Sequence, residues 1–274
     1  MSIADAFRFD GKRALVVGGA TGMGAAAAEL LLATGAEVVV MDVAPVTTAG
    51  VRAVHVDLAD RSSIDAAVEE CGGRLDVVLA CAGVADGTPG IERINFIGHR
   101  HLIDRLLAQD RLGRGSAIGF ISSAAGLGWE ANLARIEELL ATPDFDAAVA
   151  WVEAHGKADY MSSKQAVCAY VASRAFPLLT QGIRINAICP GPTDTPLARA
   201  NEATWLGFGA DYRGEVGIEV STPLEQAYPL VFLCSGAAAA ITGITMVTDV
   251  GYVSSGITGS YPGATMIANL LLNR

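Results

Sequence analysis

The sequence has few basic residues, few aromatic residues and no closely spaced cysteines. Its 19 Lys and Arg face 29 Asp and Glu, a formal net charge of -10 without any basic cluster, which argues against a nucleic-acid-binding surface. The five cysteines are scattered through apolar sequence, which predicts reduced core thiols rather than a metal site. The near pair His99 and His101 is interpreted as helix surface, because residues two apart on a helix do not face each other.

Long apolar runs are also missing. The N-terminal stretch MSIADAFRFDGKR places acids and bases where a secretory signal needs apolar residues, which predicts a cytoplasmic protein. Residues 226–248 carry no charge, but Pro229, Gly236 and Gly243 interrupt them. We therefore predict a buried helix, a turn and a strand there, and no membrane span.

What the sequence does contain is an alternation of short β-branched runs with Ala-rich and Leu-rich helical patterns. With 51% hydrophobic residues, it predicts a single α/β domain over residues 1–274, a doubly wound seven-stranded parallel sheet with helices on both faces. The predicted strands are 14–17, 38–41, 53–56, 77–80, 117–121, 184–189 and 245–248. The clearest predicted helices are 23–34, 63–71, 94–109, 160–180 and 223–234.

A glycine-rich turn follows the first predicted strand. In VVGGATGMG, Gly18, Gly22 and Gly24 have the spacing G-x-x-x-G-x-G, and a helix begins within the motif. Glycine allows the backbone to turn tightly and approach a pyrophosphate, whose charge meets the free amides and the positive end of the helix dipole. The motif predicts a dinucleotide site, and a tight turn without a ligand is the alternative.

Two acids at strand ends extend this prediction. Asp42 ends the second strand, where it would accept hydrogen bonds from free ribose hydroxyls and repel a 2'-phosphate. Neither Thr21 nor Val43 supplies a compensating base, so NAD is favoured over NADP; an ordinary solvated acid is the alternative. Asp57 ends the third strand, in the crevice where open α/β sheets bind ligands, which predicts an adenine contact.

The segment YMSSK places Tyr160 and Lys164 four residues apart at the start of a helical pattern, so both side chains lie on one face. A nearby ammonium favours the phenolate and lowers the pKa of a tyrosine. Tyr160 would then exchange a proton with a substrate hydroxyl or carbonyl as a general acid or base.

Together these motifs resemble the classical short-chain dehydrogenase/reductase family, from Gly11 to Gly251. The glycine turn, Asp57, ACAG at 80–83, INFIG around Asn95, ISSAAG around Ser123, YMSSK and CPGPTDTP at 189–196 occur in the family's order. The resemblance implies a Rossmann fold and NAD-dependent hydride transfer. It implies four catalytic residues. Asn95 would hold a relay water, Ser123 would bind the reacting oxygen, and Tyr160 would act as the acid/base. Lys164 would bind the nicotinamide ribose and lower the pKa of the tyrosine.

The resemblance also implies the cofactor-binding positions. Ser122 is interpreted as structural, and Thr193 and Thr195 would bond the carboxamide or the pyrophosphate. The full predicted set is Gly18, Thr21, Gly22, Met23, Gly24, Asp42, Asp57, Leu58, Ala82, Gly83, Tyr160, Lys164, Pro190, Gly191, Thr193 and Thr195.

The sequence departs from the family pattern at two places. Where the family often has Asn-Asn-Ala-Gly, residues 80–83 are Ala-Cys-Ala-Gly, so side-chain bracing of the sheet is expected to be missing. Thirty-six residues separate Ser123 from Tyr160, where the family usually has about a dozen. Two helical stripes in this insertion, residues 126–159, predict either a helical hairpin that covers a surface or a wall for an apolar substrate.

Two further segments bear on the substrate and on assembly, and the apolar character of the insertion and of the first of these segments favours a hydrophobic substrate. Residues 204–217 carry aromatics and glycines where the family's substrate loop lies, which predicts a closing lid or, as the alternative, an oligomer contact. The tail, residues 252–274, carries apolar residues that predict docking on its own or a neighbouring subunit. We expect a homo-oligomer, a dimer or tetramer, that converts a hydrophobic secondary alcohol or ketone, similar to the bacterial 3α-hydroxysteroid dehydrogenase/carbonyl reductase subgroup. The alternatives are a catalytically inactive nucleotide-binding regulatory or scaffold protein, and a dehydratase or epimerase using the same tyrosine.

Overall fold

A computed structural model describes residues 3–272 of the chain. Seven parallel strands form one sheet in the order β3-β2-β1-β4-β5-β6-β7, so the predicted doubly wound architecture is confirmed. The order reverses between β1 and β4, and the carboxyl ends of these two strands border the crevice where such sheets bind ligands. The strands are β1 (Arg13–Val17), β2 (Glu37–Asp42), β3 (Arg52–His55), β4 (Val77–Ala80), β5 (Ala117–Ile121), β6 (Arg184–Pro190) and β7 (Thr245–Thr248).

Helices cover both faces of the sheet. The longest, α6, begins at Tyr160, where the Asp159 carboxylate accepts a hydrogen bond from the Ser162 amide at 2.7 Å and caps the helix. The α-helices are α1 (Gly22–Ala33), α2 (Arg61–Cys71), α3 (Gly98–Ala108), α4 (Leu133–Leu140), α5 (Phe145–His155), α6 (Tyr160–Leu179), α7 (Pro196–Arg199), α8 (Glu202–Trp205), α9 (Ala210–Val216), α10 (Pro223–Cys234), α11 (Tyr252–Thr258) and α12 (Thr265–Leu271).

The helix predicted for residues 94–109 is divided in the structure. A π-helical turn, Arg93–Ile97, precedes α3. The extra residue per turn changes the direction in which the side chains project, and such turns are frequent at functional sites. Asn95 lies in this turn and is buried.

The insertion before Tyr160 folds as predicted into two helices, α4 and α5. Ile136, Leu139, Phe145 and Val152 are buried in the core cluster that also contains residues of α3 and α6. The insertion therefore packs on the outer side of these helices and lengthens the layer that covers one face of the sheet.

The uncharged stretch 226–248 also folds as predicted, as most of helix α10 followed by a turn and strand β7. Within residues 3–272, no helix is long and apolar enough to cross a membrane.

Candidate active site

A groove of about 240 Å³ runs along the carboxyl ends of β1, β2 and β4. The glycine turn forms its floor, and the reason for glycine is close approach: a Cβ atom on Gly24 would lie 2.0 Å from the Gly18 carbonyl oxygen. All groove residues that the sequence predicted are brought together here: Gly18, Thr21, Gly22, Met23, Gly24, Asp42, Asp57, Leu58, Ala82, Gly83 and Thr195. The backbone thus forms a cradle that side chains would fill.

Asp42 lies at one end of this groove. Its carboxylate accepts hydrogen bonds from the amides of Ala20 and Ala44, both at 2.9 Å, and these bonds fix its orientation while leaving lone pairs for further donors. Among the described residues that line the groove, Asp42 and Asp57 carry the only charges. The groove accordingly offers acceptors for hydroxyl groups and no cation for an additional phosphate.

The wall of the groove at residues 82–84 is held from behind by α3 and the π-helical turn. The Asn95 carboxamide accepts from the Val84 amide at 2.8 Å and donates to the Val84 carbonyl at 3.1 Å, and it also donates to Ser163 at 3.2 Å. Asn95 therefore lies behind the wall and braces it, and its side chain does not line the groove. Its role in holding a relay water stays a prediction.

His99 contributes a second brace to the same wall, at 3.0 Å from its Nε2 to the Ala82 carbonyl. It is 1% exposed, so the prediction of a surface histidine is wrong: its position on α3 faces the sheet and the Phe120 ring. Burial lowers the pKa of His99 to about 4, and the neutral imidazole donates to Ala82. His99, a residue from another element, thus supplies the side-chain bracing that was expected to be missing at residues 80–83.

A second cavity of about 280 Å³ adjoins the groove and contains the predicted chemistry. Ser123 after β5, Tyr160 and Lys164 on α6, and the segment after β6 converge on it. The groove and the cavity share a wall formed by Met23, Cys81, Gly83, Thr195 and Leu197.

The electrostatics of Tyr160 differ from the expectation. Burial raises the pKa of Tyr160 to about 12, and a hydrogen bond with Ser123 acts in the opposite direction. The Lys164 ammonium lies 5.5 Å from the Tyr160 ring centroid and donates instead to the Ile121 carbonyl at 3.0 Å. The net shift of the Tyr160 pKa is therefore upward in this structure, because burial removes solvent around the phenolate, and a lowering contribution from Lys164 stays a prediction.

Lys164 is itself affected by its surroundings. Burial lowers the pKa of Lys164 to about 8, and the neighbouring thiols of Cys168, Cys189 and Cys81 oppose this shift. The amine therefore stays mainly protonated at neutral pH and loses its charge in mildly alkaline solution.

The two serines after β5 have different environments. The Ser122 hydroxyl donates to the Lys164 carbonyl at 2.9 Å and is 2% exposed, which fits a structural role. The Ser123 hydroxyl accepts from the Ala125 amide at 3.2 Å and keeps its own proton for a group in the cavity.

The segment after β6 closes the cavity near the groove. Pro190, Gly191, Thr193 and Thr195 all line it. The Thr193 hydroxyl donates to the Gly191 carbonyl at 3.0 Å, and the Thr195 hydroxyl accepts from the Ala198 amide at 3.1 Å. Both side chains are thereby oriented, and each hydroxyl retains capacity for further bonds: Thr193 can accept, and Thr195 can donate and accept.

The remaining wall of the cavity is apolar. Trp205 and Phe208 of the predicted substrate loop line it, and so does Leu271 of α12. The Trp205 ring lies against the Tyr160 ring, with centroids 5.0 Å apart. The described lining includes no residue of the insertion, 126–159, which favours the interpretation of the insertion as a surface cover over that of a substrate wall.

Sequence reasoning did not find Asp86. Its carboxylate accepts a hydrogen bond from the Tyr160 backbone amide at 2.7 Å, and its charge contributes to the raised pKa of Tyr160. Only its proximity to the ACAG segment could have drawn attention to it, because Asp86 and Tyr160 are separated by 73 residues of sequence.

The residues present fit a nicotinamide dinucleotide. The glycine cradle and the α1 N-terminus suit a pyrophosphate, the Asp42 end suits a ribose with free hydroxyls, and the shared wall leads from the groove to Tyr160. Burial raises the pKa of the Cys81 thiol on that wall, so it remains a neutral thiol and not a nucleophile.

Comparison with known families agrees with this arrangement. The family model described as short chain dehydrogenase matches residues 12–133, and the one described as Enoyl-(Acyl carrier protein) reductase matches residues 142–253. Together the two matches include every residue of the groove, and every residue of the cavity except Leu271.

Individual proteins resemble the chain over almost its whole length. Cis-4-hydroxycyclohexanecarboxylate dehydrogenase from Sinomonas cyclohexanicum is 31% identical over 88% of this chain and 96% of that protein. The 3-alpha-hydroxysteroid dehydrogenase/carbonyl reductase of Comamonas testosteroni is 29% identical over 86% and 95%. Among solved structures, a 3-alpha-hydroxysteroid dehydrogenase from Pseudomonas sp. B-0831, in complex with NADH, matches with a TM-score of 0.71 and 27% identity, over 91% of this chain and 99% of that one.

Proposed function

The chain belongs to the short-chain dehydrogenase/reductase family, and we propose that it is an NAD-dependent oxidoreductase that interconverts a secondary alcohol and a ketone on a hydrophobic substrate. The observation that carries the proposal is the convergence of Ser123, Tyr160 and Lys164 on an apolar cavity joined to a dinucleotide groove. The substrate classes that fit are alicyclic, terpenoid or steroid-like alcohols.

The proposed mechanism assigns one task to each side chain. Bound NAD supplies the hydride acceptor for alcohol oxidation. The Ser123 hydroxyl donates to the reacting oxygen, and Tyr160 removes the hydroxyl proton in oxidation or returns it to the carbonyl oxygen in reduction. Lys164 would bind the nicotinamide ribose.

The raised pKa of Tyr160 affects which direction of the reaction is favoured at neutral pH. At neutral pH the phenol is protonated, so it is ready to act as the acid in ketone reduction. Alcohol oxidation needs the phenolate, and its rate is expected to rise with pH.

The preference for NAD is supported by charge. The groove offers Asp42 and no cation where a 2'-phosphate would lie, and a related 3-alpha-hydroxysteroid dehydrogenase binds NADH. The same proposal includes assembly as a dimer or tetramer and a cytoplasmic location. It also includes one domain with an insertion at 126–159 and a tail from 252.

The test is an NADH-linked screen of cyclic, terpene and steroid alcohols. We expect absorbance at the NADH band to rise with native protein, and the Tyr160→Phe variant to bind NAD normally while its turnover falls by about 10² or more. Tyr228→Phe is the matched control, because Tyr228 is 53% exposed on α10. Unchanged turnover in Tyr160→Phe would remove this residue from the mechanism, and NAD binding without turnover on the whole panel would favour an inactive nucleotide-binding protein.

A further inference from the structure

The C-terminal segment, residues 252–272, packs against its own chain. Two helices, α11 and α12, join an apolar cluster that contains Ala124 and Leu127 from the region after β5. Leu271 is 8% exposed and lines the cavity that contains Tyr160. Both family matches end before α12, at residue 253 or earlier, so this part of the wall lies outside the region that the family models describe.

The position of α12 is fixed by a close helix crossing. A Cβ atom on Gly256 would lie 2.6 Å from the Ala264 carbonyl oxygen and 2.8 Å from the Ala268 Cβ. Any larger residue there would push α12 away from α11. The segment is therefore held close enough for Leu271 to reach the cavity.

Aromatic contacts connect the same segment to the substrate loop. Tyr252 makes edge-to-face contacts with Phe208 and Tyr212, at centroid distances of 5.1 and 5.5 Å. Tyr212 also contacts Tyr261 at 5.1 Å and donates a hydrogen bond to the Val250 carbonyl. Such aromatic pairs add stabilisation beyond that from the buried area alone. The loop that carries Trp205 and the segment that carries Leu271 are therefore packed together.

The charge and size of the cavity indicate what it can hold. Lys164 carries the only charge among its described lining residues, and its ammonium already donates to the Ile121 carbonyl. The proposed mechanism assigns the remaining donors of this ammonium to the nicotinamide ribose, and the described lining offers no second cation for a carboxylate substrate. Its volume of about 280 Å³ lies just below the usual range for ligand sites, and part of it would be needed for the nicotinamide ring.

We propose that the C-terminal segment forms one wall of the substrate site and that Leu271 restricts the substrate to compact, neutral alcohols and ketones of one or two rings. The proposal rests on the oxidoreductase function above and narrows its substrate class. It predicts discrimination against four-ring steroids by size and against carboxylated rings by charge.

The experiment compares the native chain with Leu271→Ala and Leu271→Phe. Calorimetry with saturating NAD measures the binding of a bicyclic ketone and of a steroid ketone. Neither ketone can react with the oxidised cofactor, so binding is measured without turnover. For the corresponding alcohols, kcat/KM is measured. We expect the native chain to bind the bicyclic ketone at least about tenfold more tightly. Leu271→Ala should reduce this preference by about tenfold, and Leu271→Phe should weaken binding of both ketones.

Leu270→Ala is the matched control, since Leu270 is the adjacent residue on α12 and is 66% exposed. It should retain the native preference, and thermal unfolding should show that all variants are folded. An unchanged preference in Leu271→Ala, or equal native affinity for both ketones, would overturn the proposal. Because binding is measured without turnover, a native chain that binds selectively but does not react would contradict the proposed oxidoreductase function alone.

Discussion

At the scale of single residues, the buried imidazole of His99 shows how a polar side chain can take over a structural task from other residues. Its Nε2 bonds the Ala82 carbonyl, and its Nδ1 is buried without a hydrogen-bond partner within the described structure. A helix pattern alone placed His99 on the surface, because the pattern does not reveal which face of α3 meets the sheet. The loop it supports forms a wall of the cofactor groove.

His99 should make the protein sensitive to acid. Its pKa is about 4 in the folded state and 6.5 in the reference state, so the unfolded chain binds the proton first as the pH falls. The free energy of unfolding should therefore decrease between pH 6.5 and pH 4, by roughly 3 kcal/mol at most. Urea unfolding at several pH values measures this decrease.

The comparison that isolates His99 is with His99→Asn, which retains a donor but does not titrate. We expect a shallower decrease in this variant and the native decrease in His55→Asn, since His55 is exposed at the end of β3. Equal slopes in native protein and His99→Asn would show that other groups cause the acid sensitivity.

At the scale of elements, the N-terminus of α6 is the point where an acidic loop residue contacts Tyr160, the proposed acid/base residue. Asp86 holds the Tyr160 amide, and its negative charge opposes formation of the phenolate. Asp86→Asn retains the acceptor and removes the charge. The pH at which alcohol oxidation reaches half its maximal rate should fall by a fraction of a pH unit, since Asp86 is exposed and solvent screens its charge.

Asp86→Ala should show the same shift and also a lower kcat, because the Tyr160 amide loses its partner. Full pH–rate profiles of the two variants measure both effects. Glu137→Gln on α4 removes an exposed charge elsewhere and should leave the profile unchanged. A profile that does not move in Asp86→Asn would mean that burial alone sets the acidity of Tyr160.

The bounds of strands could be predicted well from the sequence where all side chains of the strand are buried. Strands β4 and β5 begin and end at the predicted residues because every one of their side chains is buried, which makes a continuous apolar run. Strand β3 is exposed at three of four positions, and its predicted bounds were one residue too late. The π-helical turn at Asn95 was missed, because its side-chain pattern does not differ enough from that of an α-helix.

At the scale of the whole molecule, cofactor binding should couple to global stability. A ligand that binds only the folded state, present at 100 times its Kd, stabilises it by about 2.7 kcal/mol. For a domain of this size we expect NAD to raise the Tm by several degrees. NADP should raise it less if the proposed preference holds, because Asp42 would then repel the additional phosphate.

Thermal unfolding with each cofactor checks this expectation. Asp42→Asn should reduce the difference between NAD and NADP, and Glu29→Gln, which removes an exposed charge on α1 outside the groove, should not. A larger Tm increase with NADP than with NAD in the native chain would contradict the proposed preference.

Sequence reasoning also named most residues that line the groove, and it named Ser123, Tyr160 and Lys164 of the cavity, because these residues belong to short contiguous motifs. It did not find which distant segments meet. The contacts of Tyr252 with Phe208 and Tyr212, and the bond from Tyr160 to Asp86, depend on the tertiary packing of elements far apart in the chain. The acidity of Tyr160 was misjudged for a related reason, since burial is a property of the assembled cavity.

The location of Leu271 after the last strand also bears on how such an enzyme can diversify. The groove and the proposed acid/base groups are built from residues 17–197, whereas the proposed size-limiting wall includes helix α12, which follows the last strand. Substitutions or length changes in that helix would alter the range of accepted alcohols while the hydride chemistry is inherited intact. Natural selection can therefore act on substrate range and on cofactor use through separate stretches of one gene.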